Sequence, residues 1–286
     1  MTRDRRAILG GACLSLLCLL GRASSVEGGE KLVLAVVPQQ VATVTARAWG
    51  PMADRLGVVL AHGIELRLYH SFDEFEAALA QGVPDLAFLN PYYQTIAHRS
   101  HGYLPLVRDG ARRLTGVVVV RADSPVRTLA DLRGRAVGFP DPNAFGASLY
   151  LRALLAEKER VAIRPVYLGS HANVYRHVLM GEVPAGGGIR QTLEQENEHA
   201  RQALRVLYET PAAAPHPLSA HPRVPARERE RIAHELLQLA TSDTGRALLQ
   251  GIGMPQPVRA DQARDYAPLE RLHLERYADH SARPRP

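Results

Sequence analysis

The stretch AVGFPDPNAFGASLYLRALLAEK, residues 136–158, decides how the rest of the chain is read. Val137, Gly138 and Phe139 form a short apolar run that predicts a buried strand, and Pro140 ends it. Beyond Asp141, Pro142 and Asn143, the apolar residues Ala147, Leu151, Leu154 and Leu155 recur at i, i+4, i+7 and i+8, the spacing of one helix face. The unit is therefore a strand, a tight turn and a helix. Asn143 suits the N-cap, and the small residues Ala144, Gly146 and Ala147 leave the first-turn N–H groups open. Such an end carries partial positive charge and unpaired donors, so an oxyanion or carboxylate is its natural guest. An ordinary βα turn holding nothing is the alternative.

The same alternation extends in both directions. Residues 31–37 (KLVLAVV) predict a first buried strand ending at Pro38, with Gln39 and Gln40 at its carboxyl end, where open α/β sheets bind ligands. A helix is expected over 44–56, bent or restarted at Gly50-Pro51, then a strand over 64–69. Ser71 and Glu74 have capping-box spacing before a second helix. A strand over 85–89 follows and runs into Asn90-Pro91-Tyr92-Tyr93. Three βα units in succession predict a largely parallel sheet.

A strand over 114–121 starts a second block, which contains the 136–158 unit, a strand over 164–168, a helix over 170–180 and a strand over 204–208. The glycines of 183–189 (VPAGGGI) predict a strand that is weak or closely approached by another backbone. Residues 210–225, rich in Pro, Ala and His, read as a connector to helices over 227–240 and 243–250. Two lobes are expected: 26–118 as the first part of lobe 1, 119–208 as lobe 2, and 209–286 as connector and helices returning to lobe 1. The hinge would lie near 115–120 and 208–213, with ligand in the cleft.

Composition narrows the function. At 286 residues, with 46% hydrophobic and 22% charged residues, the chain has room for two cored α/β domains. Residues 1–25 have a charged start with Arg5-Arg6, an apolar run and then small residues, and read as a signal peptide, of twin-arginine or ordinary secretory type, that sends the protein to the periplasm. This leader holds both cysteines and three of the six net positive charges, so the mature protein is nearly neutral and has no thiol. No basic patch interleaved with aromatics supports nucleic-acid binding. The chain has no Gly-x-Ser-x-Gly, no His-Glu-x-x-His, no phosphate loop ending in Lys-Ser or Lys-Thr and, after the leader, no cysteine nucleophile, so it is read as a non-enzyme. The pairs His98/His101, His171/His177 and His216/His221 lack a nearby third carboxylate ligand, so neither a metal nor a cofactor is expected.

The order of the leader, LVLAVVP (32–38), DLAFLNPYY (85–93), DSPVRTLADLRGRAVGFPDPN (123–143), GSHANVYRHVLMGEV (169–183) and a helical tail resembles the periplasmic substrate-binding proteins of phosphate, phosphite and phosphonate ABC transporters, the PhnD-like family. The resemblance implies a type 2 periplasmic binding fold: two Rossmann-like α/β lobes, two hinge strands and a clamped ligand. It also implies capture of a small oxyanion or related polar solute by a monomer, for an ABC permease or for a membrane sensor histidine kinase. Where the family carries Ser-x-Ser-Gly at the helix start, this chain has Ala144, Phe145, Gly146 and Ala147, so two hydroxyl donors are gone, at about 0.5–1.5 kcal/mol each. Residues 184–188 also lack the acid that would hold an amino group, so an aminoalkylphosphonate is the least favoured guest. The ligand-binding candidates are Gln39, Gln40, Asn90, Tyr92, Tyr93, Asn143, Ala144, Phe145, Gly146, Ala147 and His171. The tyrosines, Asn143 and His171 each have an alternative as packing or capping groups.

Overall fold

Strands that are apolar and buried at the sheet centres and more exposed at the edges build two sheets in this computed structural model, which describes residues 31–279. The leader read over 1–25 and the last residues, 280–286, lie outside the described range. The first sheet contains β1 (Leu32–Val36), β2 (Ile64–Arg67), β3 (Leu86–Phe88), β4 (Leu104–Asp109), β10 (Pro217–Ala220) and β11 (Pro257–Arg259), in the order β11-β4-β10-β3-β1-β2. The second contains β5 (Gly116–Arg121), β6 (Ala136–Phe139), β7 (Arg164–Tyr167), β8 (Ala185–Ile189) and β9 (Leu204–Glu209), in the order β7-β6-β8-β5-β9.

The expected βα units are present. Helix α1 (Ala42–Leu60) follows β1, α2 (Phe72–Ala80) follows β2 and α3 (Pro91–His101) follows β3. Pro51 sits inside α1 without ending it. Ser71 Oγ accepts the Glu74 N–H (3.1 Å), and Glu74 Oε2 accepts the N–H of His70 (2.9 Å), one residue before the cap. In the second lobe α4 (Tyr150–Glu157) follows β6 and α5 (His171–Leu179) follows β7, while the short α6 (Arg190–Glu194) and α7 (Glu198–Ala203) lead to β9. Helices α8 (Ala226–Leu239) and α9 (Asp243–Gly251) pack back onto α1.

Three corrections concern the sheets. The first is mixed rather than largely parallel, because β10 lies antiparallel between β3 and β4, and β11 lies antiparallel beside β4. The stretch 210–225 is therefore more than a connector: its fully buried Pro-Leu-Ser-Ala segment is a central strand. The crossings between lobes also sit earlier than expected on the first pass. Val117, Val118, Val119 and Val120 are wholly buried within the second sheet. The two passes meet where Leu114 and Ala213 exchange backbone hydrogen bonds of 2.9 Å in each direction.

The glycine strand β8 is central in its sheet, between β6 and β5. Its glycines admit neighbours: a Cβ on Gly187 would lie 2.2 Å from the Ala147 carbonyl oxygen, and one on Gly188 would lie 2.1 Å from the Tyr175 hydroxyl. The start of the 136–158 helix is thus pressed flat onto the second sheet.

Candidate functional site

The chain leaves β6 at Phe139, turns through Asp141 and Asn143, and enters a π-helical turn, Phe145–Leu149, that continues into α4. Ala144, rather than Asn143, holds the N-cap position; its carbonyl accepts from both Ser148 and Leu149 (3.0 and 3.1 Å). The wide turn leaves the amides of Phe145, Gly146 and Ala147 without a backbone acceptor among the described residues. That donor set is covered by apolar groups. Phe145 stacks on Tyr150 at 5.2 Å, and a Cβ on Gly146 would meet Leu114 and Ile189, both at 2.8 Å.

On the far side of Leu114 and Ile189, a cavity of about 320 Å³ opens between the lobes. Val37, Gln39 and Gln40 at the end of β1 line it, as do Thr45, Ala48 and Trp49 on α1, and Phe88 at the end of β3. The two crossings add Arg112, Arg113 and Thr115 on one pass and His216 on the other, and Gln191 enters from the second lobe. Gln39 Nε2 and His216 Nε2 lie 2.9 Å apart, and the imidazole stacks on Phe88 at 5.5 Å. Burial lowers the His216 pKa to about 4, so this part of the wall is uncharged near neutrality. Asp109, at the end of β4, lies beside the arginines but is committed: its carboxylate accepts the N–H groups of Arg112 and Gln256, each at 2.9 Å. Arg113 Nη2 donates to the Ala212 carbonyl (3.0 Å) and ties the two crossings together. The exposed Arg112 and Arg113 therefore give this wall a positive balance.

The other candidates gather elsewhere. Asn143 Nδ2 donates to Glu76 Oε1 (2.5 Å) and to the Asp279 carbonyl (2.9 Å), and Asn90 Nδ2 donates to the Asn143 carbonyl (3.4 Å). The Tyr93 hydroxyl donates to Glu76 as well, while Asn90 Oδ1 accepts the Tyr93 N–H (2.8 Å). Burial, with Glu76 adding to it, pushes the Tyr93 phenol well above its ordinary pKa, so it stays protonated and donates. Asn90, Tyr93 and Asn143 thus form a polar knot across the lobe seam, with Tyr92 buried beside Tyr93 at 5.6 Å between ring centroids. His171 Nδ1 lies 3.2 Å from Thr192 Oγ1, and burial lowers its pKa to about 4.

Of the sequence candidates, the structure brings Gln39 and Gln40 to the cavity wall; Asn90, Tyr92, Tyr93, Asn143, Ala144, Phe145, Gly146, Ala147 and His171 do not line it. Sequence reading did not name Arg112, Arg113 or Trp49, and weighed His216 only as half of a metal-binding pair. The signals were present, as an Arg-Arg pair directly before the strand that opens the second block and a histidine between two prolines in a stretch without periodicity. No group of three or more His, Cys, Asp or Glu able to hold a metal occurs among the described residues.

Solved structures of the same architecture include a binding protein component of an ABC phosphonate transporter from Pseudomonas aeruginosa, with TM-score 0.72, 14% identity, and 86% of this chain and 87% of that chain covered. PhnD1 from Prochlorococcus marinus in complex with methylphosphonate matches with TM-score 0.74 and 15% identity over 85% and 97% of the two chains. XAC2383 from Xanthomonas citri bound to ATP matches with TM-score 0.74 and 16% identity over 87% and 99%. At these identities the likeness establishes the type 2 periplasmic binding fold. The model of the ABC transporter phosphonate periplasmic substrate-binding proteins matches residues 34–266, most of the chain. The protein therefore belongs to the phosphonate family of periplasmic ABC transporter substrate-binding proteins, which bind and deliver a small molecule and are not enzymes.

Proposed function

We propose that this chain captures a small organic anion in the cavity beside the chain crossings and presents the closed, loaded form to an ABC permease. The observation that carries the reading is the make-up of that wall, where two arginines stand on one crossing and Asp109, the carboxylate that lines the cavity with them, already accepts two backbone N–H groups. Residues from both lobes and both passes line the same space, so a bound solute bridges groups that move apart when the lobes open. Ligand therefore lowers the energy of the closed form relative to the open one. The amides of Phe145, Gly146 and Ala147, one apolar layer away, supply partial positive charge to the same region. Residues 1–25 fit this role as the export leader.

The test is thermal-shift screening of the leaderless protein against phosphate, phosphonates, sulfonates and carboxylates, followed by calorimetry, because a ligand of the native state raises stability by mass action. At a concentration of about 100 times Kd, a true ligand adds about 2.7 kcal/mol. The expected result is a shift with one class of anion that is lost when Arg112 and Arg113 are both changed to Gln. No shift with any anion, from a protein shown to be folded and empty, would overturn the reading.

A further inference from the structure

We propose that the end of the second lobe opposite the cleft is a docking face for an anionic bilayer surface, with a ring of arginines on the lipid phosphates and Met180 dipping between them. The topology assembles that face. Strands β6, β7 and β8 run parallel and β5 antiparallel to them, so the amino ends of the first three and the carboxyl end of β5 share one edge of the sheet. The segments that meet there, 121–135, 158–164 and 180–184, are tied together. The Gly134 N–H donates to the Ala162 carbonyl and the Arg164 N–H to the Arg135 carbonyl, each at 2.8 Å, and Arg121, Arg135 and Gly181 line one hollow.

Charge is the first ground. The three segments hold seven Arg and Lys against four Asp and Glu, a surplus of three, as large as that of the whole chain after residue 25. The four acids are engaged: Asp123 with Arg121, Asp131 with the N–H groups of Arg127 and Thr128 (2.9 Å each), Glu159 with Lys158 and the Tyr208 hydroxyl, and Glu182 with His177. Arg127, Arg133, Arg135, Arg160 and Arg164 are exposed and make no ion pair among the described residues. A cluster of cations so disposed draws an anionic surface.

An apolar group among the cations is the second ground. Met180, at the end of α5 beside Gly181, is 63% exposed. A flexible thioether next to arginines suits the boundary of a headgroup layer, where guanidinium meets phosphate and the apolar tip lies deeper. The three segments contain no Phe, Trp or Tyr on which bases could stack, which disfavours a nucleic acid. Docking by this face also leaves the cleft open to solute: Pro184 borders the hollow and Ile189 the cavity, about 16 Å apart along β8 at ~3.3 Å per residue.

Flotation of the leaderless protein with vesicles of phosphatidylcholine, alone or mixed with phosphatidylglycerol, tests this. Binding is expected to the mixed vesicles only, and should fade as salt rises from ~0.1 M to ~1 M. Each arginine at an anionic surface tightens binding about fivefold, so Arg133→Gln, Arg135→Gln and Arg164→Gln together should weaken it on the order of a hundredfold. Arg47→Gln, Arg99→Gln and Arg227→Gln together remove the same charge from exposed positions in lobe 1 and should leave it nearly unchanged. Met180→Gln should weaken it about fivefold. Melting curves confirm the fold of each variant. No binding to the mixed vesicles, equal binding to neutral ones, or equal losses in the two triple variants overturns the proposal, as does capture of a DNA duplex without binding to vesicles. Unchanged binding in Met180→Gln overturns the part given to Met180.

Discussion

Asn143 and Asp279 hold each other through a reciprocal pair of hydrogen bonds: Asn143 Nδ2 donates to the Asp279 carbonyl and the Asp279 N–H donates to Asn143 Oδ1, each at 2.9 Å. One residue follows the second lobe's β6; the other ends the described tail. Just before it, the Tyr277 hydroxyl donates to Glu157 at the end of α4 (2.5 Å), Leu274 is buried in a core that lobe 1 shares with the start of α4, and residues 267–272 pack on α3 of the first lobe. The tail is therefore a strap from the first lobe to the second, and the Asn143 side chain that also reaches Glu76 is its fastening.

Asn143→Ala removes that fastening: buried Asn143 gives up its bonds, and half-buried Glu76 and the amide of exposed Asp279 each lose one partner. The expected loss is about 1–3 kcal/mol. For a chain of this size each kcal/mol lowers Tm by about 2–4 °C. Thermal melting gives the first readout, and the rate of proteolytic removal of the C-terminal segment gives the second, which should rise. A variant with wild-type Tm and cleavage rate would show that the knot holds nothing.

Glycines in the second lobe and the helical tail separate close approach from idle flexibility. A Cβ on Gly187 would stand 2.2 Å from the Ala147 carbonyl oxygen, so Gly187→Ala pushes the helix start off the sheet and should destabilise by about 1–3 kcal/mol. Gly251, at the end of α9, has no atom within 4 Å of where a Cβ would stand, and its φ is not positive. Gly251→Ala should therefore stabilise by about 0.4–1 kcal/mol through the unfolded state. Chemical denaturation of both variants checks the opposite signs.

What was legible in the sequence, and what was not, follows from how each element is buried. The runs 31–37, 85–89 and 136–139 announce themselves as apolar segments ended by Pro or Asn, and they form β1, β3 and β6. Pro217 to Ala220 does not, because four residues starting with Pro and containing Ser show no period, and only its place between β3 and β4 makes it a strand. Ser219 is tolerated there because its hydroxyl donates to Gln94 Oε1 (2.6 Å), a tertiary contact no local pattern reveals. The same limit applies to the site. Gln39 and Gln40 follow a strand end and could be named, whereas His216 acquires its role from Gln39 and Phe88, both more than a hundred residues away.

Buried His216 makes stability depend on pH. Its folded pKa, about 4, lies below the ordinary 6.5, so between those values the unfolded chain binds a proton that the native protein does not. The contribution is complete above about pH 6.5 and is lost as pH falls toward about 4, at about 1.4 kcal/mol per pH unit. His171, also lowered to about 4 by burial, acts with the same sign, while Asp141, raised by burial, acts against it. The measured quantity is therefore a difference: His216→Gln should reduce the slope of unfolding free energy against pH in this window by about one proton. An unchanged slope would mean that His216 carries its charge in the fold.

Trp49 is the chain's only tryptophan and it lines the cavity, so intrinsic fluorescence reports occupancy directly. With ligand, its emission should shift in intensity or wavelength, and stopped-flow traces then give association rates. Arg112 is exposed at the cavity wall, where an unscreened positive charge speeds the encounter with an anion. Exposed charges are screened beyond about 10 Å at ~0.1 M salt and about 3 Å at ~1 M. Association in the wild type should therefore slow across that range. Arg112→Gln should bind about tenfold more weakly at low salt and show a flatter salt dependence, because a charge-assisted hydrogen bond and part of the steering field are both removed. An equal salt slope in the variant would place the anion's head away from Arg112, and an unchanged Trp49 signal on binding would place the solute outside this cavity altogether.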